Sequence, residues 1–367
     1  MRIGFIYSGY SPGLHSGILR FERTLFDHLN GAGHTVARLE YPIRSGIPEL
    51  WQQYARMLRP LAISAERRFI REFRPDLLII QGAGYPEGRS LRWYPVPTII
   101  VQHGYPDTPL LAPLINTYAR TFGRWAFSRA LQVVAISQYT RQKIRPFVTP
   151  NKYTVIHSST VDSATFSPIN TKTLLRKKYG IPVVADVLIS VGRLVGIKNQ
   201  SVLIRALKQL PDRTRLLFVG DGPDRRRLKG LARWHGVDTR VQFFGVADTD
   251  ATLNELLNLS DLFVHPSLAE GLGLAPLEAM SAGVPVVSTG VGGLQEFIHD
   301  HETALVVTDP RDPQEWAQRI MELLNDAPAK EALSMKARSL VLEQFTKEVM
   351  CQQWDKLLIQ LKSKTLK

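Results

Sequence analysis

Two glutamates eight residues apart, Glu270 and Glu278, flank a glycine-rich turn in the segment VHPSLAEGLGLAPLEAMSAGVPVVSTGVGGLQEF. The stretch reads as a ligand site, and the glycines let a ligand approach the backbone. A second patch, VLISVGRLVGIKNQSVLIRAL, sets Arg193 and Lys198 beside Gly192 and Gly196. A guanidinium fork and a mobile ammonium suit a diphosphate on which negative charge builds during bond cleavage. The plainer reading makes the glutamates helix-flanking charges and the cations a solvated basic turn. His103, in TIIVQHGYPD, stands at a strand end, where open α/β sheets bind ligands. A structural hydrogen-bonding role is the alternative there.

These groups need elements to hold them. DLFVH reads as a buried strand, Gly271 and Gly273 as a loop, and LEAMSAG as a helix closed by Gly283. This parse places Glu278 in the first helical turn with Pro276 near its start. VPVVST is the next strand. A strand, a glycine turn and a helix N-terminus present free N–H groups and a positive dipole end to an anion. VLISV, LLFVGDGPDRRRLKGLA and VQFFGVAD begin further strand–turn–helix units. MRIGFIY, HTVARLEYP, DLLIIQG, TIIVQHG and LQVVAIS are apolar strands separated by helical segments, the alternation of a parallel sheet. FERTLFDHLNGAGH is a helix closed by Gly31 and Gly33. The expected architecture is α/β with two doubly wound halves joined by a linker near Ser159 to Lys177, and no repeats.

The pattern E-G-x-G-L-x-x-x-E-A-M-x-x-G-x-P-V-V-x-x-x-x-G-G resembles the donor-site motif of the retaining glycosyltransferases of family 4 (glycosyl transferases group 1, GT-B fold). The family most often has Phe where this chain has Leu272. The resemblance implies two Rossmann-like domains facing across a cleft, with a C-terminal helix crossing back to the first. The implied bounds are 1–165 for acceptor binding, 166–345 for nucleotide-sugar binding and 346–367 for the returning helix. It implies that Glu270 sits beside the donor sugar's hydroxyls, that Glu278 accepts from the ribose, and that the backbone of Gly271, Leu272, Gly273 and Leu274 lines sugar and phosphates. Arg193 and Lys198 would bind the pyrophosphate beside Gly192, and His103 would contact the sugar from the opposite domain. Gly220, Asp221, Gly222 and Pro223 resemble a family loop. Gly245 and Val246, after Phe244, would lie near the base, although a purely structural loop fits the sequence equally. Gly17 aligns with the family's first glycine turn, but the usual adjacent glycine pair is missing from SGYSPGLHSG. His157, Ser158, Ser159 and Thr160 replace the Asn-Gly that often precedes the hydrophobic–Asp pair, here Val161 and Asp162. The implied donor is a UDP- or GDP-sugar, with no bound metal or other cofactor. The acceptor would be a hydroxyl on a lipid-linked, polysaccharide or small-molecule partner.

Composition accords with an ordinary globular chain: 367 residues, 44% hydrophobic, 22% charged. One cysteine, Cys351, cannot form an internal disulfide, so a reducing cytoplasm is expected and the thiol reads as packing. No apolar run reaches the length of a membrane span, and the N-terminus reads as a mature start without a signal peptide. Residues 1–165 carry 20 Lys plus Arg against 10 Asp plus Glu, net +10, and the remainder net +3. In the first half Trp51, Tyr54, Phe69, Trp125 and Phe127 interleave with Arg56, Arg67, Arg68, Arg71, Arg120, Arg124 and Arg129. The alternatives are solvated arginine faces over aromatic core faces, or docking on an anionic membrane, on nucleic acid or on an acidic acceptor, the membrane's inner face being preferred to nucleic acid. No nucleic-acid motif accompanies the charge. A non-catalytic nucleotide-sugar binder and a basic nucleic-acid-binding protein are the other function classes; neither requires Arg193, Lys198, Glu270 and Glu278 together. Ser137 reads as a helix cap, and Asp248 and Asp250 as N-capping residues rather than metal ligands. His299, Asp300, His301 and Glu302 read as a polar turn matching no zinc spacing.

Overall fold

The computed structural model describes residues 1–6, 17–39, 60–81, 96–103 and 124–365. It divides into two compact units, one of Met1–Ser158 with Met350–Lys367 and one of Ser159–Val349.

The first unit is built on six parallel strands: β1 (Arg2–Ile6), β2 (Thr35–Leu39), β3 (Leu77–Gln81), β4 (Thr98–Gln102), β5 (Gln132–Ala135) and β6 (Tyr153–Val155), ordered β2-β1-β3-β4-β5-β6. The strands β3, β4 and β5 are buried along their whole length, which is why they read as unbroken apolar runs. The helix Gly17–Gly31 buries Phe21, Leu25 and Leu29 and ends with Gly33 at φ 83°. The helix Lys347–Thr365 carries the buried Cys351 and the fully buried Trp354, whose ring lies 6.2 Å from Phe21. On that helix Asp355 receives a bond from His28 at 2.9 Å.

The second unit carries β7 (Asp186–Val191), β8 (Thr214–Val219), β9 (Val241–Gly245), β10 (Leu262–His265), β11 (Val286–Thr289) and β12 (Leu305–Val307), all parallel and ordered β12-β11-β10-β7-β8-β9. Strand order reverses between β7 and β10, so the chain leaves those two strands toward opposite sides of the sheet and opens a crevice beyond their carboxyl ends. One layer of the core packs Val202, Leu203, Leu207, Leu216, Leu228, Val264, Trp316 and Ile320 against the sheet. The amino ends of β7 and β10 are pinned by Asp261, which accepts from Arg176 (2.6 Å), Lys172 (2.7 Å) and the Val187 N–H (2.7 Å). Burial opposes ionisation of Asp261, but the two cations overcome it and hold its carboxyl below the usual range.

The stretch read as a linker is structured. Val161 forms a parallel bridge with Thr346, Lys347 N–H bonds Val161 O at 2.9 Å, and Lys347 Nζ meets Asp162 at 2.6 Å. Ser159 Oγ donates to Phe345 O, and Lys172–Lys178 form a helix. No helix among the described residues is long and apolar enough to cross a membrane.

In the described part of the basic first unit the aromatic side chains pack inward. Phe127 is buried, Phe69 stacks on Phe73, and Trp125 packs against the core with Arg129 over its ring. Trp51, Tyr54, Arg56 and Arg120 lie outside the described residues.

Candidate functional site

The loops leaving β7, β8 and β9 are joined backbone to backbone. Gly192 N–H donates to Val219 O at 2.9 Å, Gly220 N–H to Gly245 O at 2.6 Å, and Leu194 N–H to Asp221 O at 2.9 Å. Glycine is required for this approach: a Cβ on Gly220 would lie 2.1 Å from Gly192 O, and one on Gly222 2.4 Å from Leu194 O. Between β8 and β9 the register skips Phe244, a bulge that sends its ring edge-on to Tyr179 at 5.9 Å and leaves Gly245 at φ 92°. Val246 beyond it is 44% exposed. Phe244 thus serves packing, and the Gly245 carbonyl is committed to Gly220.

Arg193 is partly buried in the β7 loop, its carbonyl accepting from Gln200 Nε2 at 2.8 Å. Lys198 ends a short 3-10 turn, Gly196–Lys198. Asn199 then takes the left-handed conformation at φ 54° while its side chain bonds Pro310 O at 2.6 Å. Lys198 reaches across the strand reversal to Glu270, the two forming a direct ion pair. A backbone bond from Leu268 N–H to Ile197 O, 2.9 Å, closes the two loops on each other.

Glu270 is held from a second side. His265, the last residue of β10 and 4% exposed, bonds the same carboxylate oxygen, Oε1, through Nε2 at 2.8 Å. Burial of Glu270 opposes its charge, but Lys198 and the His265 bond more than compensate and hold it well below the usual carboxylate range. Burial dominates at His265 too and depresses its pKa, so at neutral pH it is a neutral imidazole donating Nε2–H.

The Glu270 loop rests on a glycine pair. Gly293 N–H donates to Glu270 O at 2.9 Å, and a Cβ on Gly293 would fall 2.0 Å from Gly271 O. A Cβ on Gly292, at φ 61°, would fall 2.3 Å from Glu270 O. Leu272 is buried, and Gly273 (φ 97°) opens the helix Leu274–Ser281. Glu278 is therefore its fifth residue, one turn deeper than the sequence suggests, and is buried at 3% exposure. The sequence parse began the helix after Pro276, whereas the left-handed Gly273 starts it at Leu274. A dipole preference for the first turn does not account for Glu278.

Sequence reasoning missed His265, which hides in an apolar run, and quoted Gly292 and Gly293 without using them. Gly17 and His103 belong to the other unit. Gly17 is the first residue of its helix, and the turn before it lies outside the described residues. His103 bonds Gln81 and meets the Phe21 ring edge-on at 5.2 Å. Burial lowers its pKa to about 3, so it is neutral at neutral pH.

Of the remaining candidates, Ser137 caps its helix, accepting from Thr140 N–H at 3.0 Å. Neither Asp248 nor Asp250 caps; Thr249 between them does, at 3.0 Å to Thr252 N–H. His301, at φ 57°, turns the chain so that its N–H reaches Ala304 O, and Asp300 accepts from Val306 N–H. Among the described residues no three His, Cys, Asp or Glu side chains are grouped to hold a metal ion.

Residues 171–340 match the family model for glycosyl transferases group 1, and residues 18–160 the model for glycosyltransferase family 4. The N-acetyl-alpha-D-glucosaminyl L-malate synthase of Bacillus anthracis is 30% identical over 234 residues, 63% of this chain and 60% of that enzyme. The chain matches about half the length of such curated relatives. In fold it is similar to a sucrose-phosphate synthase from Thermosynechococcus elongatus, with TM-score 0.86, 23% identity and 99% of each chain covered. It is also similar to Anabaena HepE in complex with UDP-glucose, with TM-score 0.76, 22% identity, and 98% of this chain and 100% of that one covered.

Proposed function

Because the chain belongs to the family 4 glycosyltransferases and has their GT-B fold, we propose that it moves a hexose from a nucleotide-diphosphate sugar to a hydroxyl acceptor with retention of configuration. One observation carries this reading: at the reversal point between β7 and β10, a cationic loop and a carboxylate loop meet through Lys198 and Glu270. Cations there suit a diphosphate, and a carboxylate beside them suits sugar hydroxyls. Glu278 and the Gly271–Leu274 backbone bind the rest of the donor, and His103 is a further contact to the sugar.

In the proposed step the bond from the sugar's anomeric carbon to the diphosphate oxygen breaks. Arg193 and Lys198 stabilise the charge gained by the leaving group. The acceptor oxygen attacks from the same face, and its proton passes to a leaving diphosphate oxygen. The bound UDP-glucose of the HepE neighbour supports a UDP-sugar as the first donor to try. The proposal needs no metal, so a chelator should leave activity intact, and it places the enzyme in the cytoplasm. The acceptor is a lipid-linked or polysaccharide hydroxyl presented at the inner membrane face to the basic first domain.

Calorimetry with UDP-, GDP- and ADP-sugars tests it, with Glu278→Ala as control. One sugar nucleotide should bind to the native chain and be lost by the variant, and Arg193→Ala should lose turnover. Unchanged binding and kinetics in both variants would refute the site.

A further inference from the structure

We propose that His265 is a positioning residue of the donor-sugar subsite: it holds Glu270 by one carboxylate oxygen, Oε1, so that the other, Oε2, faces the sugar hydroxyls. This rests on the nucleotide-sugar reading above.

The imidazole is itself fixed. His265 ends β10 in register with Ser288 of β11, its carbonyl receives the Ser288 hydroxyl at 3.3 Å, and its ring lies over Phe263 at 5.9 Å and 17°. From that position Nε2 reaches only one oxygen of Glu270, the one that Lys198 also holds. With two donors on Oε1, rotating the carboxylate would break both bonds, while Oε2 accepts no hydrogen bond among the described residues. The Glu270 side chain keeps only 10% of its surface exposed, so few orientations are open to it.

The two donors are not equivalent. Lys198 sits on a four-carbon stem and can follow a phosphate away from Glu270. His265 is on a strand, buried, and has no such freedom. When the diphosphate draws Lys198, His265 is what keeps Glu270 in place. A neutral imidazole does this without adding a second cation beside the carboxylate, so the charge of Lys198 stays available for the phosphate.

The test separates sugar from nucleotide binding. His265→Phe keeps a ring over Phe263 and removes the donor, whereas His265→Gln restores an N–H at nearly the same reach. Binding of UDP and UDP-glucose, and of GDP and GDP-mannose, is measured on the full chain. In His265→Phe the nucleotide sugar is expected to bind about tenfold more weakly, as for a lost hydrogen bond to a charged group, with the free nucleotide unchanged. His265→Gln should recover most of that loss. Should His265→Phe not fold, His265→Asn, whose amide falls one methylene short of Glu270, supplies the donor-less state. Equal weakening of nucleotide and nucleotide sugar would mean a general packing role and overturn the proposal, as would unchanged sugar binding. Failure of the native chain to bind any of the four probes would instead refute the functional reading, and this inference with it.

Discussion

Replacing Gly293 with alanine should damage the proposed donor site through the backbone alone. The added Cβ would lie 2.0 Å from Gly271 O, 2.6 Å from Gly271 C and 2.8 Å from Leu272 Cα, all main-chain atoms that no side-chain rotation can clear. Ordinary contact begins near 3.4 Å, so the two segments must part by about 1.4 Å at that point. The Gly293 N–H bond to Glu270 O, 2.9 Å, passes the shift directly to Glu270. Misplacing a substrate-positioning group by about 1 Å costs on the order of 100-fold in rate, about 2.7 kcal/mol in the barrier. Overpacking should also lower stability by about 1–3 kcal/mol. Gly290→Ala is the matched control, since its Cβ would meet only Val306 Cγ1 at 3.7 Å and its φ is not left-handed. Sugar transfer, donor affinity and thermal unfolding are measured for both. A Gly293→Ala enzyme with native donor affinity and turnover, or a Gly290→Ala enzyme equally impaired, would refute the reasoning.

Asp261→Asn leaves Lys172 and Arg176 facing a neutral amide, and denaturant melts should show a loss of about 3–5 kcal/mol. Because its pKa is depressed from 3.8 in the fold, the Asp261 contribution is complete above that value and fades as pH falls below it, so the deficit of the variant should shrink in strong acid. Thr249→Ala should cost about 1 kcal/mol, whereas Asp248→Ala should be close to neutral; the opposite order would restore Asp248 as the cap. His103, with a folded pKa near 3 against 6.5, binds its proton less readily in the fold. Its contribution is therefore complete above pH 6.5 and falls by up to about 1.4 kcal/mol per unit as pH drops from there toward 3. An NMR titration of His103 with a midpoint near 6 would contradict the burial argument.

The central strands were legible because a parallel strand covered on both faces has no polar alternation to obscure it: LLIIQ and TIIVQ are buried at every position. The sixth strand of the first unit, Tyr153–Val155, is three half-buried residues, too short and mixed to stand out. Arg193, Lys198, Glu270 and Glu278 were visible as types beside glycines, but their mutual geometry was not. Lys198 meets Glu270 because the loops that carry them close on each other, Leu268 N–H bonding Ile197 O. The depth of Glu278 depends on Gly273 starting its helix without a side-chain cap. His265 was invisible for another reason. In sequence it is one polar letter ending an apolar run, and only the fold back of the loop, five residues on, gives it a partner.

The bridge between Val161 and Thr346 sets the two ends of the Ser159–Val349 unit side by side, at the spacing of neighbouring strands, about 5 Å. A unit whose ends meet can be lifted from its host or spliced into another chain without stretching either. That half is in this sense a cassette, and the Lys347–Asp162 pair is its clasp. A shuffled gene that carried residues 159–349 into a new frame would bring the Lys198–Glu270 constellation with it intact.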